Sequence, residues 1–186
     1  MATKFNGHDL FSNKKGEPGN GNNDTDAAIT PQFLVVCEDL FDSELDGFDN
    51  ATPCEWFDVG SSRFITTNDA GGVSRDSKIV GSDPVIQMKY GSWGPLIQEY
   101  LYSGKNIPTI GIRRLSCING TKVIIQAIDY ETCLVKTYRQ QEDLIEFTFS
   151  AITAQDVVTV YDEKGTKQGN LGTKFDYSTM LINAIS

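Results

Sequence analysis

From Phe33 onward the chain is a succession of apolar-rich segments whose hydrophobic residues either run together or alternate with polar ones. Both patterns are those of β-strands. The run Phe33-Leu34-Val35-Val36-Cys37 predicts a buried strand. From Glu55 to Ser62, Trp56, Asp58 and Gly60 alternate against Phe57, Val59 and Ser61, and Arg63 to Thr67 extends the pattern. VIQMKY from Val85 predicts a further strand, and one helix follows it. Ser92 sits at its N-cap and Pro95 in its first turn, Leu96, Ile97, Tyr100 and Leu101 recur at helical spacing, and Gly104 closes it. Next come PTIGIRRLSCI, the pair Asn119-Gly120 and TKVIIQAI, a strong hairpin signal. Tyr130–Arg139 and Leu144–Ile152 alternate, and a last strand pair, VVTVY and KFDYSTM, flanks Asp162-Glu163-Lys164-Gly165. Many closely spaced strands with one helix predict a mainly β fold: a β-barrel of two antiparallel sheets carrying one α-helix on its side.

Two stretches break this pattern. Residues 1–31 are rich in Gly and Asn and poor in β-branched and aromatic residues, too apolar-poor to offset the entropy of ordering, and are expected to form a flexible arm. Phe5, Leu10 and Phe11 are its apolar handle for docking on a neighbouring subunit. Residues 32–186 are left as the barrel domain, a size that suits one core. From Asn68 to Asp83 the composition turns to Gly, Ser, Asp, Arg and Lys around Gly71-Gly72, which predicts a long exposed loop, a kind of segment that usually has a task.

Charge narrows the partners. The 186 residues carry a net charge of −9, so nucleic acid and anionic membrane surfaces are poor partners. The acidity is local: residues 33–62 hold eight acidic side chains and no basic one, namely Glu38, Asp39, Asp42, Glu44, Asp46, Asp49, Glu55 and Asp58. Within it, Asp42–Gly47 imitates the start of a calcium-binding EF-hand loop, but the closing position is Pro53 and the flanks read as strands, so no metal is assigned.

Catalytic constellations are equally thin. The single histidine, His8, lies in the arm, which leaves Ser-His-Asp and Cys-His chemistry without a base in the barrel. Cys37, Cys54, Cys117 and Cys133 form no CxxC pair and lie in apolar runs, so they read as buried reduced thiols. Glu131, Glu142, Asp143 and Glu146 are read as outward-facing charges on alternating strands rather than as a glycosidase pair. Gly71-Gly72 and Gly169-Asn170-Leu171-Gly172 lack phosphate-loop spacing and read as turns. Arg113-Arg114 sends one guanidinium to each face of its strand. No cofactor is expected. No apolar leader opens the chain and no run is long enough for a membrane helix, so neither signal-peptide export nor membrane insertion is expected.

Taken in order, the segments resemble the haemolysin-coregulated protein family, the tube subunits of bacterial type VI secretion systems. FLVVCEDLFDSELDGFDN is similar to that family's opening strand and acidic loop, and EWFDVGSS to its next strand. The run from Pro84 to Ile112, with LIQEYLYSGKNIPTIGI, is similar to its helix, "G-K-x-I-P" and following strand. AIDYETCLVKTYRQ and LIEFTFSAITAQDVVTVYDEKGTKQG match its later strands and "D-x-x-G-K-x-G" turn. The resemblance covers roughly residues 33–178, and the ordered set carries it, since no single motif is specific.

What the resemblance implies is mechanical and not enzymatic. Members form hexameric rings that stack into a tube, which a contractile sheath propels behind a spike, and some carry effector proteins. They assemble in the bacterial cytoplasm and leave through the machine without a signal peptide. The loop holding Gly71, Gly72, Arg75, Asp76 and Lys78 corresponds to the region that reaches the neighbouring subunit or ring, and Arg75, Asp76 and Lys78 are expected to make polar stacking contacts. The long arm is a departure that leaves open a divergent subtype, or the tail-tube protein of a related contractile injection machine or phage tail. A monomeric β-sandwich binding module for sugar or protein also suits the strands, Trp56, Trp93 and the seven tyrosines.

Overall fold

The computed structural model describes residues 32–41, 44–45, 48–63, 79–179 and 181–185. The arm lies outside them. In chain order the elements are β1 (Phe33–Val36), β2 (Glu44–Leu45), β3 (Phe48–Asp49), β4 (Ala51–Pro53), β5 (Trp56–Asp58), β6 (Ser61–Arg63), β7 (Ile79–Gly81), β8 (Val85–Lys89), the helix Trp93–Ser103, β9 (Ile107–Ile118), β10 (Thr121–Gln141), β11 (Leu144–Ser150), β12 (Thr153–Tyr161), β13 (Lys167–Asp176) and β14 (Leu181–Ile185). Among the described residues the fold is mainly β with one helix, as expected, and every strand pairing is antiparallel.

The two sheets of the expected barrel are two wings of one curled sheet, a half-barrel hinged on β10. The first wing runs β4-β1-β9-β10-β12-β13-β14 and the second runs β10-β11-β8-β5. Two strands expected separately, TKVIIQAI and Tyr130–Arg139, are a single strand of 21 residues. Residues up to Cys133 pair with β9, and residues from Leu134 pair with β11. At the junction Thr132 has φ 56°, a left-handed conformation that costs a β-branched residue about 1–2 kcal/mol. The corner turns there without breaking the strand.

Side chains from the inner faces of the wings make the core. Val35, Ile110, Ile112, Ile128 and Tyr130 meet Ile86, Met88, Ile145, Phe147 and Phe149, all buried in one cluster. Tyr130 lies edge-on to Phe149 at 5.3 Å between centroids. The helix contributes Ile97, fully buried, and Phe41 meets Trp93 edge-on at 5.7 Å. Gly104 closes the helix with φ 66° and donates its N–H to the Tyr100 carbonyl, as predicted, whereas the Ser92 side chain makes no capping hydrogen bond.

Several expectations need correction. The strand predicted over Glu55–Ser62 is split: β5 pairs with β8, while β6 pairs with β7. The loop predicted at Asn68–Asp83 therefore ends earlier, since Ile79–Gly81 is strand, and residues 64–78 lie outside the described ones. Ala51–Pro53 forms a strand on β1 that its composition concealed. Glu142 and Asp143 occupy the β10–β11 turn, with Glu142 at φ 53°, so they are not strand residues. The stretch from Gly169 to Gly172 is strand, not turn, because Val157 to Val160 supply it with partners, and the last strand after Asp176 begins only at Leu181. Cys117, at the β9 end near the Asn119-Gly120 hairpin, is exposed, while Cys37, Cys54 and Cys133 are buried and free as predicted.

Candidate functional site

No buried reactive constellation emerges among the described residues. Burial pushes the thiols of Cys37 up to about 11 and of Cys54 and Cys133 up to about 12, which keeps them protonated and poor nucleophiles. No cluster of side chains able to hold a metal occurs among the described residues, and no described helix is long and apolar enough to cross a membrane. The predicted assembly residues Gly71, Gly72, Arg75, Asp76 and Lys78 lie outside the described residues. Their flanks are close, because Arg63 pairs with Ile79.

The surface that stands out is the far end of the first wing. Directly paired residues of an antiparallel sheet point to one face, so the register assigns each side chain. On the inner face one row runs Ile110, Tyr130, Ala154, Phe175, Ile182, and a parallel row runs Phe33, Arg114, Gln126, Val158, Leu171. Along the first row exposure climbs from 0% at Ile110 to 59% at Ile182, and at the end of the second Leu171 is 62% exposed. The second wing roofs only the near ends. Beyond it Val158, Val160, Leu171 and Ile182 form an apolar face that nothing in the described structure covers, with Leu181 exposed at its edge. The first row contains Ala154 and Phe175 as well; between the two rows a third runs Ile112, Ile128, Asp156, Thr173, Ala184, so the apolar pattern of the core continues past it with one carboxylate inside it, Asp156, which accepts from Gln126 at 3.0 Å.

The outer face of the same strands is polar and internally satisfied. Arg113 donates to Asp129 at 2.6 Å and to the Ile128 carbonyl, and Lys174 donates to Glu131 at 2.8 Å. The hydrogen bonds from Lys174 and Thr153 hold the Glu131 carboxyl below its usual range. Arg113 is half-buried and Arg114 exposed on the inner face, which realises the expected split of the arginine pair. Glu131 is the one carboxylate of the four candidates engaged in an ion pair. Nearer β1 the outer face carries a small second core: Leu34, Ala51 and Leu115, with Val36, Phe48 and Ile124 packed on it.

Strand edges complete the surface. The sheet path ends at β14 on one side and β5 on the other, with β4 on a branch, and no pairing between described residues joins these ends. Exposed edges offer unpaired N–H and C=O groups to another chain. The sequence reading does not single out Val158, Leu171 and Ile182. Their signal was the alternation of Val158, Val160 and Leu171 on two strands joined by the Asp162 turn, masked by the two glycines around Leu171.

No profile of a known protein family matches the chain, and no curated protein matches it. Solved structures do. One described as a type six secretion system protein superposes with a TM-score of 0.72 at 12% identity, over 81% of this chain and 98% of the other. Hcp1 from Salmonella typhimurium superposes with a TM-score of 0.63 at 13% identity, over 81% and 97%. A structure described as a type VI secretion system effector from Yersinia pestis gives 0.60 at 11% identity, over 77% and 98%. The chain has the Hcp fold, the fold implied by the resemblance of its segments.

Proposed function

We propose that this chain, built on the Hcp fold, is a structural subunit of the inner tube of a type VI secretion system. Its copies form hexameric rings that stack into a tube, are driven outward by a contractile sheath behind a spike, and carry effector proteins. The observation that carries the reading is near-complete coverage of the type six secretion system structure, 98% of that chain at a TM-score of 0.72. The sheet supports it. Two unlike open ends, β14 and β5, suit head-to-tail contacts, which close into a ring when the rotation per subunit allows. Assembly takes place in the bacterial cytoplasm, and the protein leaves through the machine itself.

The same reading casts the protein as a wall component and not an enzyme, with its own copies as first partners. Arg75, Asp76 and Lys78 are proposed as polar stacking contacts between rings, and charge reversal there is expected to abolish stacking while rings persist. An edge test addresses ring closure. On an edge strand alternate N–H groups point outward, so of two neighbours one can become proline without losing an internal hydrogen bond. Of Asn183→Pro and Ala184→Pro, the variant that keeps the monomer's thermal midpoint is expected to lose ring formation in light scattering. Intact rings from that variant would show that β14 is not a ring edge.

A further inference from the structure

The apolar end of the first wing has an occupant within reach. The chain joins the sheet at Gln32, whose carbonyl accepts the Leu115 N–H at 2.8 Å. The next residue, Phe33, begins the row that continues through Arg114 and Gln126 to Val158 and Leu171. Gln32 therefore lies level with the uncovered face. Three strand spacings separate Phe33 from Val158 and four separate it from Leu171, about 14 and 19 Å. The 31 residues before Gln32 carry their aromatic and leucine side chains at Phe5, Leu10 and Phe11, followed by a Gly/Asn-rich connection and the short run Ala27-Ala28-Ile29. A coil of the roughly 21 residues between Phe11 and Gln32 has a root-mean-square span of about 25 Å. That span matches the distance to the face.

Two further features favour this segment over a second copy. A tether of matched length places the cluster at an effective concentration of order millimolar, which a separate chain at micromolar concentration does not approach. Charge agrees as well. Arg114 is exposed on this face and has no ion-pair partner among the described residues, and Asp9 lies inside the apolar cluster of the arm.

We infer that the N-terminal segment folds back on its own chain and roofs the inner face of β12–β14, with Phe5, Leu10 and Phe11 on Val158, Val160, Leu171 and Ile182 and Asp9 beside Arg114. The inference rests on the sheet and the arm, not on the tube reading. Docked, the segment supplies the layer that the second wing does not reach, and keeps the apolar face out of water before any partner arrives.

Hydrogen exchange and binding of an apolar dye test it, on the full chain, a variant lacking residues 2–31, and the triple variant Phe5→Ser, Leu10→Ser, Phe11→Ser. Light scattering on each sample fixes a common assembly state, so that loss of rings and loss of the roof are read separately. Both variants are expected to bind several-fold more dye and to exchange the β12 and β13 amides at least about tenfold faster than the full chain. Asp9→Lys is expected to show an intermediate rise, reversed by adding Arg114→Asp. Equal dye binding and exchange in all three chains would overturn the inference. So would protection that rises with protein concentration and is indifferent to the arm, because a second copy would then be the cover.

Discussion

The near and far halves of the first wing share strand pairing, alternation and register, yet one is core and the other is surface. Ile110 and Tyr130 are buried in the core, Tyr130 against Phe149, whereas Phe175 is partly exposed and Ile182 largely so, in the same row. The difference lies in the opposing layer. Alternation tells which side chains share a face, but burial needs something for that face to meet. An apolar pattern that outruns its roof is a surface awaiting one.

Core substitutions should separate the halves most sharply. Phe149→Ala, in the roof over the near half, is expected to cost about 3–5 kcal/mol in denaturant unfolding. Leu171→Ser, beyond it, is expected to stay within about 1 kcal/mol on a chain lacking the arm. Equal losses would erase the distinction. The backbone of the far half is still tightly paired, and Gly172 tests that separately. A Cβ there would collide with the Asp156 carbonyl oxygen and press on Val157, so Gly172→Ala is expected to cost about 1–3 kcal/mol although no apolar contact is lost. A neutral result would mean that β12 and β13 are not held in register.

Smaller effects follow at the hinge and on the outer face. Thr132→Gly removes the left-handed strain at the corner of β10 and is expected to leave stability unchanged or raise it by about 1 kcal/mol, seen as a higher urea midpoint. A marked loss would show that the Thr132 side chain holds the wings together. The smallest effect is titration of the outer face. Glu131 is lowered by its hydrogen bonds from Lys174 and Thr153, and Asp176 is held at about 2 by Ser178 and Thr179. A depressed carboxylate contributes stability above its unfolded value, and the contribution is lost as pH falls through the folded one. Unfolding midpoints should therefore drop slightly between pH about 4 and 2. Asp176→Asn should flatten part of that drop.

Legibility in the sequence followed the same division. Strands ending in unambiguous turns were readable: Phe33–Val36, Val85–Lys89, the Asn119-Gly120 hairpin and the helix closed by Gly104. Where tertiary pairing decided, the local pattern misled. Gly169 to Gly172 resembles a turn because glycine has no side chain to pack, yet β12 holds it extended. Asp129, a poor strand former, divides one strand in two by its composition, while its pairing with Gly111 and Gln155 carries the strand through. Ala51–Pro53 has weak strand propensity and is placed by β1 alone. The ordered set of segments pointed to the Hcp fold, and alternation puts Val158 and Val160 on one face, but no local pattern tells that this face is exposed, because exposure is set by the extent of the other wing.

Light scattering with negative-stain imaging of the purified full chain decides whether its copies build a tube. Ring particles of about six chains of 20.5 kDa each are expected, stacking into tubes as concentration rises. A clean monomer at high concentration, with no rings in the images, would contradict it.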